Sequence, residues 1–157
     1  AVSGRAAAIK WVNDVLMDGR KICGILTEAS FGLESGRLDY AVLGTGINVY
    51  APEGGFPAEI AQVAGSVLSA PLPDAKNRIA AEYLNRLLPL YRTLGSAEMI
   101  AAYRKRSLAV GRTVTVLSGD GARSARALDV DERCRLLVEY EDGTRAALSS
   151  GEISIKL

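Results

Sequence analysis

Asp18-Gly19 constrains this chain more than any other pair of residues. It separates two runs rich in apolar and β-branched residues, 8–17 and 21–28. Glycine accepts the positive φ that a two-residue hairpin turn requires, so Asp-Gly between such runs specifies two antiparallel strands. A polar, glycine-containing loop runs from Ser30 to Gly36, and residues 39–49 form a third apolar run interrupted by Gly44 and Gly46. The first fifty residues read as one antiparallel meander.

The pattern then changes twice. Pro52 to Pro57 reads as a loop, after which Ile60, Val63, Ala64, Val67 and Leu68 recur at helical spacing until Pro71 and Pro73. Asp74 suits the N-cap of a second helix, because a carboxylate accepts from the free N–H groups there. Ile79, Tyr83, Leu87 and Leu90 form its apolar stripe, and Pro89 is expected to kink or split it at about 3 kcal/mol. Gly95 fits a stop and Ser96 the cap of a third helix bearing Met99, Ile100 and Tyr103. Its last turn, Arg104-Lys105-Arg106, reads as a solvated basic end favoured by the helix dipole. From Val110 onward only short strands and turns remain, among them the alternating Leu136, Val138 and Tyr140 and a turn at Ser118–Gly121. Strands so closely spaced suggest a small barrel. The boundary falls near 108–111, giving domains 1–108 and 109–157.

Composition narrows the chemistry. At 157 residues the chain is one domain, or one with a small appendage. Nineteen Lys+Arg against 18 Asp+Glu lack the cationic excess of a general nucleic-acid binder. Without histidine there is no imidazole base and no His-containing zinc site, and no metal site is expected. Cys23 and Cys134 stand far apart and read as small apolar filler. With no run of ~18 apolar residues and no signal-peptide pattern, a soluble cytoplasmic protein without a membrane partner is expected. The chain opens Ala1-Val2-Ser3 and enters a strand within a few residues, as though something preceded it.

Individually, the candidate residues have ordinary readings. Lys10 beside Trp11 needs an anion if buried, or else snorkels from an edge strand. Asn13 and Asp14 could be turn residues, and Ser150-Gly151-Glu152 an ordinary turn. Gly24, Gly44 and Gly46 within strands mark either bulges or the close approach of a ligand to backbone. Gly44-x-Gly46 lacks the third glycine and the following helix of a dinucleotide fingerprint.

In order, however, Lys-Trp-x-Asn-Asp at 10–14, Lys-x-x-Gly-Ile-Leu-x-Glu at 21–28, Gly-x-Gly-Ile-Asn-Val at 44–49 and the terminal Ser-Gly-Glu-Ile-Ser-Ile resemble the biotin protein ligase family. The resemblance covers essentially the whole chain, as the C-terminal part of the catalytic domain plus the SH3-like C-terminal domain. It implies an α+β fold: the class II synthetase-like mixed sheet of biotin and lipoate ligases with flanking helices, then a small SH3-like β-barrel. It implies a biotin–[acetyl-CoA-carboxylase] ligase that joins biotin to ATP as biotinyl-5′-AMP and passes biotin to a lysine of a carboxyl carrier protein, with Mg²⁺ accompanying ATP. On the family's pattern Lys10 is the catalytic lysine, touching biotin and the adenylate phosphate, where positive charge is needed as two anions meet. Gly24, Ile25, Leu26, Gly44 and Gly46 would line the biotin pocket, Asn13, Asn48, Glu152 and Lys156 would serve the nucleotide, and Trp11 would pack.

Two departures stand out. Val12 replaces the family's usual Pro. The family's Gly-Arg-Gly-Arg-type loop, the strand that binds the ureido ring and the optional DNA-binding domain all precede this stretch. The chain alone is therefore expected not to make biotinyl-adenylate, and to need an N-terminal segment of the same enzyme or a second chain. A sheet lacking those strands would expose an edge and an apolar face, so a homodimer is the other expectation. The alternatives are a non-catalytic remnant or binding module recognising a carrier protein or partner chain, and a lipoate ligase, which the Trp-x-Asn-Asp and Ser-Gly-Glu features fit less well.

Overall fold

A computed structural model describes residues 3–118 and 121–155. Its first half is a four-stranded sheet of β1 (Ala8–Lys10), β2 (Asp14–Met17), β3 (Arg20–Phe31) and β4 (Leu38–Ile47), in that spatial order. Asp18 and Gly19 both have positive φ, 49° and 75°, and make the turn between β2 and β3 as expected. Residues 8–17 are two strands rather than one. The chain leaves the sheet at Trp11, whose side chain is only 2% exposed in a different core, and returns at Asp14. Among the described residues every ladder of this sheet is antiparallel, and the parallel pairing that a mixed sheet would include is limited to isolated bridges, Ile9 with Ser107 and Lys21 with Ala64.

The β2–β3 ladder contains a bulge. Val15 faces Cys23 but Leu16 faces Lys21, which leaves Ile22 as an extra residue. One extra residue reverses the alternation of side chains beyond it. Lys21 and Gly24, three apart, accordingly share a face: a Cβ added to Gly24 would lie 3.2 Å from Lys21 Cε.

The helix expected at 60–68 does not form. A single turn is closed when the Val63 and Ala64 N–H groups donate to the Ile60 carbonyl. The chain then runs along the sheet: Lys21 N–H donates to the Val63 carbonyl, Gly65 N–H to Lys21, Val67 N–H to Asn48 and Leu68 N–H to Val49. These distant partners satisfy the backbone groups that a helix would have paired locally. The path requires Gly65, because a Cβ there would lie 2.8 Å from that of Arg20. Val67 closes a small core with Ile22 and Cys23.

There are thus two helices among the described residues, not three: α1 (Ala75–Arg92) and α2 (Ala97–Arg106). Asp74 occupies the N-cap of α1 but is left-handed, with φ 55°, and its side chain makes no cap bond. α1 is not split at Pro89, which lies within its span. The carbonyl that loses a donor belongs to Asn85, an exposed residue that water can serve, and one turn of helix remains beyond the proline. α2 is capped as expected, Ser96 Oγ accepting from Met99 N–H at 3.2 Å, and it buries Ile100. Its basic end is not simply solvated: Arg104 donates to the Val130 carbonyl and lies 3.4 Å from Asp129.

The second half is SH3-like: β5 (Thr113–Ser118), β6 (Gly121–Val130), β7 (Leu136–Tyr140), β8 (Arg145–Leu148) and β9 (Glu152–Ile155), ordered β8-β7-β6-β5-β9 and antiparallel. Gly119 and Asp120 of the expected turn lie outside the described residues. Among the described residues no ladder joins β8 to β9, so barrel closure is not seen. Val114, Val130, Leu136, Val138 and Ile153 fill its core, and Trp11 inserts among them with its indole N–H donating to the Cys134 carbonyl at 3.0 Å. Leu108 N–H donates to Ile9 at the same seam.

The outer half of the β3–β4 ribbon carries exposed Leu26, Phe31, Leu38, Tyr40, Val42 and Leu43, with β4 at the sheet edge. Among the described residues no helix is long and apolar enough to cross a membrane.

Trp11→Ala should lower the unfolding free energy by about 3–5 kcal/mol, as deletion of a buried large side chain does. Trp11→Phe, which keeps a ring but loses the bond to Cys134, should cost less. Urea titrations followed by circular dichroism would measure both.

Candidate functional site

Strand register assembles the site. Lys10 faces Asp14 across β1–β2, Asp14 faces Gly24 across β2–β3, and Gly24 faces Gly46 across β3–β4. The four residues form one transverse row over the whole sheet. Leu26 and Gly44 make the next pair on β3–β4. Above these rows opens a cavity of about 760 Å³, lined by Lys10, Asn13, Gly24, Ile25, Leu26, Gly44 and Gly46 together with Trp11, Asp14, Lys21 and Thr45. Seven of the ten residues singled out from sequence thus meet in one place. The glycines form an open backbone floor. A Cβ on Gly46 would meet nothing nearer than the Gly24 carbonyl at 3.8 Å, and one on Gly44 the Leu26 carbonyl at 3.5 Å.

One wall is charged. Asp14 is only 18% exposed and stands between two ammonium groups: Lys21 Nζ at 2.6 Å from Oδ1 and Lys10 Nζ at 3.9 Å from Oδ2. The Lys10 contact is an ion-pair distance beyond hydrogen-bond reach. Lys10 is 24% exposed, so its ammonium keeps partial access to the cavity. Two cations against one anion leave the wall with a net positive charge. Asn13 fixes the turn that holds Lys10: its amide donates to the Ile25 carbonyl and its own carbonyl accepts from Ile25 N–H.

The remaining expected residues lie elsewhere. Asn48 lines an adjoining cavity of about 300 Å³ with Lys21, Cys23, Gly24 and Gly46, and another of about 660 Å³ with Thr45, Ile79 and Lys76. Its side-chain amide donates to the Gly65 carbonyl at 3.0 Å, so it also clamps the 63–68 segment to the sheet. The side chain of Glu152 and the whole of Lys156 lie outside the described residues. Asp14 and Lys21 were not assigned roles from sequence. The available signal was the odd Lys-x-x-Gly spacing, which places both residues on one strand face only if the strand is bulged.

Other reactive groups are quiet. Burial pushes the Cys23 thiol up, with Lys21 lowering it and Asp14 raising it by smaller amounts. Cys134 is likewise pushed up, chiefly by burial. No cluster of three or more His, Cys, Asp or Glu side chains suited to a metal occurs among the described residues.

Residues 109–156 match the family model described as the biotin protein ligase C terminal domain. The biotin–[acetyl-CoA-carboxylase] ligase of Mycobacterium tuberculosis is 34% identical over 160 residues, covering 98% of this chain and 54% of that protein. The bifunctional ligase/repressor BirA of Bacillus spizizenii is 27% identical over 154 residues, covering 96% of this chain and 47% of that protein. The chain therefore spans about half the length of the curated relatives it matches. Among solved structures, the biotin protein ligase from Aquifex aeolicus in complex with biotin and ATP has a TM-score of 0.74 at 22% identity, covering 98% of this chain and 63% of that chain. That likeness is one of fold.

Tyr103 offers a check on the turn behind Lys10. Its hydroxyl donates to the Val12 carbonyl at 3.0 Å, and burial, with a smaller contribution from Cys134, pushes its pKa up to about 12. A folded-state pKa above the ordinary value of 10.0 means that the fold prefers the neutral phenol. Its stabilisation is complete below about pH 10 and is lost as pH rises towards 12. Tyr103→Phe should be less stable than wild type near pH 8, and the gap between their urea midpoints should narrow as pH is raised from 10.

Proposed function

We propose that this chain, whose residues 109–156 match the biotin protein ligase C terminal domain and which is 34% identical to a biotin–[acetyl-CoA-carboxylase] ligase, contributes the lysine and the glycine-floored strands of a site that activates biotin with ATP. In the first step a biotin carboxylate oxygen attacks the α-phosphorus of ATP, the bond to pyrophosphate breaks, and biotinyl-5′-AMP forms. In the second, the amine of a carrier-protein lysine attacks the activated acyl carbon, AMP leaves with the bonding pair, and the amine gives up its proton.

The observation that carries this reading is the transverse row of Lys10, Asp14, Gly24 and Gly46, which sets one ammonium beside a bare backbone floor. Apposing a carboxylate and a phosphate is opposed by their like charges, and a fixed ammonium in a partly dehydrated site offsets that repulsion. Lys10 is held for that role at the end of β1, with Trp11 buried behind it and Asn13 bonded to Ile25. The backbone of Gly24, Ile25, Leu26, Gly44 and Gly46 would carry the apolar rings of biotin. Asn48 would meet the nucleotide from the adjoining cavity, with Asn13 nearer Lys10 and with Glu152 and Lys156 following from the C-terminal end. Among the described residues Asp14 is the single carboxylate on the cavity wall, and it already faces two ammoniums. These residues do not fit a Mg²⁺ cage, so the ion would arrive with ATP.

In this reading residues 1–108 complete a catalytic domain and 109–157 form the SH3-like domain. The apolar ribbon of β3 and β4 is covered by the remaining half of such an enzyme, or by a second copy, and the carboxyl carrier protein is the acceptor. The setting is the cytoplasm. In a biotin-dependent ATP–pyrophosphate exchange assay, the chain alone should be inactive. Adding a fragment that supplies the other half of the relatives' length should restore exchange and carrier biotinylation, and Lys10→Ala should reduce both by about 100-fold or more. Carrier binding that persists in Lys10→Ala, without restored exchange, would instead favour a binding module.

A further inference from the structure

We infer that Lys21 is a second oxyanion-binding cation of this site, and that Asp14 holds it in place until the oxyanion arrives. The inference deepens the proposed function and rests on it for the identity of the anion, a carboxylate or a phosphate.

The bulge is the first observation. In a regular strand, residues three apart point to opposite faces, and Lys21 would point away from the Gly24 floor. The extra residue at Ile22 turns it onto that floor, where its Nζ lies 3.3 Å from the position of a Cβ on Gly24. Bulges commonly re-aim a side chain beside a functional site. The second observation is the sharing of one carboxylate. Asp14 Oδ1 is 2.6 Å from Lys21, whereas Oδ2 is 3.9 Å from Lys10. The tighter pair therefore restrains the more exposed lysine, 49% against 24%. Third, Lys21 lines both the 760 Å³ cavity and the adjoining 300 Å³ cavity that contains Asn48. An ammonium at that junction can exchange an Asp14 oxygen for an oxygen of a ligand in either one. Asp14 acts through the two lysines and is a positioning residue.

Calorimetric titration of the full chain with inorganic pyrophosphate, and separately with biotin, tests this at low and moderate salt. Lys21→Met should weaken binding about tenfold in at least one titration, the scale of one lost charge-assisted hydrogen bond. Lys21→Arg should recover most of the loss, and whichever titration responds identifies phosphate or carboxylate as the source. Asp14→Asn should tighten binding severalfold, because it releases both ammoniums. The signs separate this role from a structural one. If the Asp14–Lys21 pair merely supported the hairpin, both Lys21→Met and Asp14→Asn would weaken binding alike. Parallel weakening overturns the inference, as does wild-type chain that binds neither probe, or unchanged affinity in Lys21→Met. Should Asp14→Asn fail to fold, the Lys21→Met and Lys21→Arg pair still decides. The proposed function fails separately: if pyrophosphate affinity follows Lys21 while restored exchange is indifferent to Lys10→Ala, only that reading falls.

Discussion

The burial of Trp11 is the constraint on which the rest depends. Its indole sits in the core of the C-terminal sheet, yet the strands that flank it in sequence, β1 and β2, belong to the N-terminal one. One side chain thus ties two sheets together and interrupts what would be a continuous strand. The interruption creates β1 and β2 as a short pair, with Lys10 at the end of one and Asp14 at the start of the other. Tyr103 from α2 reinforces the same turn through the Val12 carbonyl, and Leu108 bonds Ile9. The SH3-like half therefore fixes where the Lys10 ammonium stands, although none of its described residues lines the main cavity.

Much of this was legible from local chemistry. Asp18-Gly19, the Ser96 cap and the alternation at 136–140 each depend on neighbours in sequence, and each formed as read. The glycines and Lys10 could be singled out by residue type, and strand register then brought them together. The failures involve partners distant in sequence. Residues 60–68 have helical spacing, but Lys21, Asn48 and Val49 offer them backbone partners that no local pattern reveals. Arg104 looked solvated because Val130 and Asp129 lie on a strand far along the chain. Pro89 does not split α1, and the exposure of Asn85 that leaves its carbonyl open to water is a property of the folded helix.

The site combines two features that would each be unfavourable alone. Glycines within strands weaken a sheet, and partly buried charges are costly to dehydrate. Here the floor left bare by Gly24 and Gly46 is the same surface over which the charges are arranged, and Asp14 partially neutralises that wall before any ligand is present. Asn48 performs an analogous double service, clamping the segment at Gly65 while facing an adjoining cavity.

The extra residue at Ile22 makes the position of Lys21 depend on how β2 and β3 pair rather than on side-chain identity alone. A β3 of the same length that paired without the bulge would put Lys21 and Gly24 on opposite faces, whereas deletion of the extra residue would restore an unbroken pleat and keep the ammonium over the glycine floor. The unbulged strand of unchanged length would retain every residue of the cavity wall while losing its arrangement.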